Sequence, residues 1–106
     1  MSYEVNKQVL MDKFNFDDED LVMLFDVFIK SSNENIEKLK LAIENNDYNT
    51  IYICAHSLKG SSGNLMIDEV YAISKELESA SKDEKSIDYK SHYDKLYTIF
   101  QNLTLK

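Results

Sequence analysis

Proline is absent from this 106-residue chain, and glycine occurs only at Gly60 and Gly63. So few turn residues leave little chemistry for hairpins and no flexible linker, which argues against a sheet and a tethered second domain. Cys54 is the only cysteine, so no intramolecular disulfide can form. Alone, it reads as a small buried hydrophobe rather than a redox sensor, because reactive thiols sit exposed beside positive charge. Arginine is also missing, leaving 12 lysines against 19 acids and a formal net charge of −7. Nucleic acids and anionic membranes need a cationic surface, so neither is an expected partner. No window approaches the roughly 20 apolar residues of a membrane span. The N-terminus has neither the basic start nor the apolar stretch of a secretory leader, and a soluble cytoplasmic protein is expected.

What the chain does have is Leu, Ile, Lys, Glu, Asn and Tyr in helical patterns. Its length suits one domain, residues 1–106, with one core and no room for a nucleotide-binding domain beside it. Five helices are predicted. The first, about 3–14, carries Val5, Val9, Leu10 and Phe14 near one side. The second, about 18–45, is capped by Asp17 or Asp18 and carries an apolar stripe through Leu21, Leu24, Phe25, Phe28, Ile36, Leu39 and Ile43. Only Ser32 and Asn35 break that stripe, so it reads as one long helix, or as two with a kink around Ser31 to Asn33. Asn45-Asn46-Asp47 is a turn, with Asp47 capping a third helix over 48–65. Asp68 is the expected cap of a fourth, 68–81, with Val70, Ile73, Leu77 and Ala80 inward. After a solvated connection from Ser81 to Ser86, a fifth helix over about 87–103 buries Tyr89, Tyr93, Leu96, Phe100 and Leu103. The expected fold is all-α: an antiparallel up-down four-helix bundle with a short additional N-terminal helix across one end.

The third helix contains Ala55-His56-Ser57-Leu58-Lys59-Gly60-Ser61-Ser62. At 100° per residue, Asn49, Tyr52, Lys59, Gly60 and Gly63 fall within about 60° of His56. The opposite side collects Ile51, Cys54, Leu58, Ser61 and Leu65. The helix therefore shows solvent a histidine, a lysine and a strip with almost no side chains. Each glycine in a helix costs about 1 kcal/mol relative to alanine, so a bare exposed face implies that something approaches it closely.

This run resembles the signature of histidine phosphotransfer (HPt) domains, the helical carriers of phosphorelays, which read His-x-x-Lys-Gly followed by small residues. Ala55, His56, Lys59, Gly60, Ser61 and Ser62 carry the match, and Gly63-Asn64-Leu65 continues it. The resemblance extends from about 17 to 103. It includes the acid-rich start before Leu21, Asp47 ahead of the signature helix, and the Leu77-Glu78 pair. One departure is Met66, where the family commonly has glycine. The resemblance implies that His56 accepts a phosphoryl group and that Lys59 offsets its charge. Gly60 and Gly63 would leave room for a partner's acidic, metal-containing pocket. Chemically, the site needs an accessible neutral imidazole nitrogen, and an ordinary histidine at pH 7 is roughly three-quarters neutral. Lysine supplies a flexible point charge one turn away, and serines can bond back to the preceding turn in close helix packing.

The implied function is a phosphocarrier between receiver domains, without an ATP site or cofactor of its own and with Mg²⁺ in the partner receiver. Response-regulator receivers, a hybrid sensor histidine kinase, or both are the expected partners, and a monomer is the expected state. Tyr52 and Ile53 read equally well as the bundle's rim or as apolar contacts for the partner. His92 lacks a neighbouring cation or glycine and reads as an exposed helical histidine. Met11, Met23 and Met66 read as core or edge fillers. A self-phosphorylating kinase would need glycine-rich nucleotide loops, and a di-metal bundle would need Glu-x-x-His pairs, which neither histidine provides. The serious alternative is a scaffold domain, which would share the bundle and bare strip but have no use for His56 beside Lys59.

Overall fold

Short polar side chains set the helix starts in the computed structural model, which describes residues 3–106. Asn6 accepts from Val9 N at the start of α1 (Lys7–Phe14), and Asp17 from Asp20 N at α2 (Asp18–Glu44). Asp47 opens α3 (Tyr48–Asn64), accepting from Thr50 N at 3.2 Å and Thr50 Oγ at 2.6 Å. Asp88 does the same for α5 (Tyr89–Gln101) through Ser91 N. Each satisfies a backbone donor that has no partner inside the helix. At α4 (Asp68–Lys82) the expected cap is corrected: Ile67 holds that position without a side-chain bond, and Asp68 lies in the first turn. There its charge still complements the helix dipole.

The helix ends show what scarce glycine costs. Asn15, Asn46, Met66 and Glu84 adopt left-handed backbone with φ of 56°, 52°, 58° and 51°, while neither glycine has positive φ. Behind them, Asp47 N bonds Ala42 O at 2.8 Å, Ile67 N bonds Ser62 O at 2.9 Å, and Lys85 N bonds Ala80 O at 2.9 Å. These six-residue closures end α2, α3 and α4 by the Schellman pattern, in which glycine is the unstrained choice. Both glycines of this chain are instead spent inside α3.

α3 packs against α2 and α4, and α5 against the same two helices, while α1 packs on α2. Lys13 Nζ also ties α1 to the end of α3 through Asn64 O at 2.8 Å. The core takes Leu21, Phe28 and Leu39 from α2, Ile51 and Leu58 from α3, Leu77 from α4 and Leu96 from α5. α2 is one continuous helix, and Ser32 in its apolar stripe is buried.

Both ends of the chain depart from the all-helical expectation. Residues Tyr3–Val5 form β1 and Leu103–Leu105 form β2, a parallel pair with Tyr3 opposite Leu103 and Val5 opposite Leu105. The first helix thus begins at Lys7 rather than near 3, and the last runs Tyr89–Gln101 rather than 87–103. Tyr-Glu-Val and Leu-Thr-Leu alternate apolar with polar residues, the two-residue period of a strand. Val5 is buried as predicted, but from a strand, whereas Val9 is 43% exposed. Met23 and Met66 are exposed rather than packed. α4 continues through Ser81, whose buried hydroxyl donates to Leu77 O at 2.6 Å, so the solvated connection starts later than expected.

Candidate functional site

The three-residue turn at 65–67 folds α4 back along α3, and residues equidistant from Ile67 meet. His56 and Glu78 are each 11 positions from it, and Gly63 and Tyr71 each 4. Both pairs are in contact. His56 Nδ1 lies 2.6 Å from Glu78 Oε2, and Lys59 Nζ donates to Glu78 Oε1 at 2.8 Å. One carboxylate therefore holds both the histidine and the lysine of the signature.

The electrostatics assign the proton. Glu78 is held below the ordinary carboxylate range, chiefly by the Lys59 hydrogen bond and with a smaller contribution from His56, against the opposing effect of burial. Lys59 is raised in turn, mainly by its bond to Glu78. An ionised carboxylate only accepts hydrogen bonds, so His56 Nδ1 is the donor. In the neutral ring the lone pair then lies on Nε2, which has no hydrogen-bond partner among the described residues. The His56 side chain is 65% exposed while Glu78 is 17% exposed. The ring is thus fixed at its inner nitrogen and open at its outer one.

Around it, Tyr52 stacks on the His56 ring with centroids 6.0 Å apart and planes 17° from parallel. Tyr52 is half-buried and belongs to the site's rim, whereas Ile53 is an exposed apolar side chain. On the α2 side, Asn35 Nδ2 donates to Ser57 Oγ at 3.2 Å. Ser61 Oγ donates to Ser57 O at 3.0 Å and Ser62 Oγ to Lys59 O at 3.2 Å, the expected back-bonding to the preceding turn. Cys54 is buried, and that burial pushes its thiol up, which disfavours a reactive thiolate.

The two glycines differ. A Cβ at Gly60 would meet nothing within 4 Å, so this position is open to solvent. A Cβ at Gly63 would lie 3.3 Å from Tyr71 Cδ2 and 3.5 Å from Cε2. The expected bare strip is therefore bare at Gly60 and partly covered at Gly63. Met66 also gains a reason: its left-handed φ closes α3, so a glycine there serves backbone conformation.

Lys59 is more enclosed than a solvated helix face predicts, with its side chain 25% exposed. His92 is corrected too: its side chain is 17% exposed, with Nδ1 2.8 Å from Asp88 O and Nε2 2.7 Å from Glu76 Oε2. It joins α5 to α4 instead of standing free. Glu78 is the residue to which sequence reasoning gave no role. Its signal was the short turn, because folding the chain symmetrically about 65–67 sets position 78 opposite position 56.

An imidazole anchored at one nitrogen and presented on the outside of a helical hairpin defines a class of surface-acting helical domain. The Hpt domain family model matches residues 23–103, and the chain belongs to that family. Hpt domains are phosphocarriers rather than conventional enzymes, working in phosphorelays with receiver domains and kinases. The matched stretch contains His56, Lys59, Gly60 and Glu78, and leaves β1 and α1 outside it. No curated protein and no solved structure matches the chain. Among the described residues, no helix is long and apolar enough to cross a membrane.

Proposed function

We propose that this protein is a phosphocarrier in a multistep His-Asp relay, accepting a phosphoryl group on His56 from one receiver aspartate and passing it to another. The observation that carries this reading is the free, outward Nε2 of a ring whose Nδ1 is bonded to Glu78. The Nε2 lone pair attacks phosphorus, the bond from phosphorus to the aspartyl oxygen breaks, and the carboxylate leaves with that electron pair. The Nδ1 proton stays on the ring, where the Glu78 carboxylate stabilises the positive charge that develops. The reverse sequence delivers the group to the next aspartate.

Lys59 is the cation for the incoming phosphoryl oxygens. Its ammonium is already held beside His56 by Glu78, so a small side-chain movement suffices. Gly60 is the point of closest approach for the receiver, with the exposed Ile53, one turn before His56, as an apolar contact. The Mg²⁺ belongs to the receiver's own acidic pocket, and this chain contributes the nucleophile and a cation. The finer architecture in this reading is an antiparallel up-down bundle of α2–α5, acting as a monomer in the cytoplasm.

Incubating the protein with a receiver domain charged by acetyl phosphate tests the proposal. A carrier acquires acid-labile, base-stable phosphate and discharges it to a second receiver. A scaffold binds the receiver but acquires no phosphate, and that result would replace the proposal with the interaction-domain reading.

A further inference from the structure

Gly63 and Tyr71 form the second contact across the α3–α4 turn, and the phosphorelay reading leaves it without a role. Tyr71 is 39% exposed, so core burial does not explain its placement. Its ring lies over the backbone of Gly63, where even a methyl group would press on Cδ2 at 3.3 Å. Gly63 is one helical turn beyond Lys59 on α3, and Tyr71 is two turns before Glu78 on the same face of α4. The ring therefore stands at the open end of the Lys59–Glu78 pair. At the other end is Tyr52, stacked on His56.

We propose that Tyr71 is a positioning residue: seated on Gly63, its ring walls one side of Lys59 and keeps the ammonium over Glu78, beside His56. Two further observations support it. Lys59 is only 25% exposed although its helical position faces outward. Tyr71 and Tyr52 also each make a small contribution to raising Lys59, after the larger effect of Glu78. The two glycines then have separate tasks. Gly60 leaves space for a partner, and Gly63 leaves space for this chain's own tyrosine.

The inference rests on the reading of Lys59 as the cation that serves His56, but its test does not require phosphorylation. The titration of Lys59 is followed by the NMR shift of its Cε in the wild type, Tyr71→Ala, Tyr71→Phe, Gly63→Ala and the double variant Gly63→Ala/Tyr71→Ala. Tyr71→Ala is expected to lower the Lys59 midpoint toward the ordinary value of 10.5 as the ammonium leaves Glu78. Tyr71→Phe keeps the ring and removes only the small contribution of its hydroxyl, so its midpoint is expected to fall less than that of Tyr71→Ala. Gly63→Ala should reproduce Tyr71→Ala by displacing the ring, and the double variant should be no worse than Tyr71→Ala alone. After labelling with phosphoramidate, the phosphohistidine of Tyr71→Ala and Gly63→Ala should decay about threefold faster, the scale of one partly exposed charge contact. An unchanged Lys59 midpoint in Tyr71→Ala, or additive effects of the two substitutions, would overturn the proposal. Failure of the wild type to accept label would count against the phosphocarrier reading, while the titration would still decide the role of Tyr71.

Discussion

His56 and Glu78, 22 positions apart, share a 2.6 Å hydrogen bond between α3 and α4. The bond makes the outer ring nitrogen the one with the lone pair, so reactivity at a solvent-facing histidine depends on a carboxylate beneath it. Lys59 occupies the other oxygen of that carboxylate. Replacing Glu78 therefore releases both His56 and Lys59 from their shared anchor.

Glu78→Gln keeps the shape but removes the charge and presents an amide that also donates. Glu78 is 17% exposed and glutamine fills the same space, so the fold should persist. Labelling of His56 by phosphoramidate is expected to slow about tenfold, the lower end for losing a charge-assisted hydrogen bond. The ring's ¹⁵N shifts should show a more even mixture of tautomers. An unchanged rate would reduce Glu78 to a tie between two helices.

Gly60→Gln should move stability and function in opposite directions. Nothing lies within 4 Å of the added Cβ, so the free domain gains helix propensity without a clash. The gain is up to about 1 kcal/mol, read as a higher Tm. The new side chain projects beside His56, where a receiver must approach, so receiver binding and exchange should fall sharply while labelling by phosphoramidate persists. Wild-type exchange with receivers would show that Gly60 is no docking position.

Met66→Gly should stabilise the protein without touching the chemistry. Met66 is 53% exposed, and its φ is 58°. Relieving that left-handed backbone is worth about 1 kcal/mol. For a domain of this size, that corresponds to a Tm rise of about 4–8 °C. A lower Tm would mean that the methionine side chain contributes more by packing than its backbone conformation costs.

Much of this was legible from one helix at a time. Asp17 and Asp47 marked the starts of α2 and α3, and the spacing of His56, Lys59 and Gly60 placed them on one face. What escaped needed a second element. Val5 and Leu105 are strand partners 100 positions apart, and three residues of apolar-polar alternation are too short to stand out locally or to point to a partner at the other end of the chain. Glu78, Tyr71 and the half-buried His92 acquire their contacts only when α4 packs beside α3 and α5. Helical periodicity shows which face turns inward, but not which neighbour it meets.

The Glu78–Lys59 pair predicts a pH window. Glu78 is lowered from 4.5, so it contributes stability that is complete above that value and lost as pH falls through its lower folded value. Lys59 is raised from 10.5, so its share is complete below that value and lost as pH rises through its higher folded value. In urea unfolding, the stability gap between wild type and Glu78→Gln should therefore be widest between 4.5 and 10.5 and shrink on both sides. A gap independent of pH would show that the pair is not electrostatically coupled to folding.

Phosphorylation of the wild type and of His56→Gln, labelled with phosphoramidate and mapped by peptide mass under neutral conditions, locates the phosphoryl group. His56 is exposed, so its replacement opens no cavity, and helical content and Tm should remain close to wild type. The expected result is a single acid-labile phosphate on His56 in the wild type and none in the variant. Label retained by folded His56→Gln, on His92 or any other residue, would contradict the assignment of His56 as the phosphoacceptor.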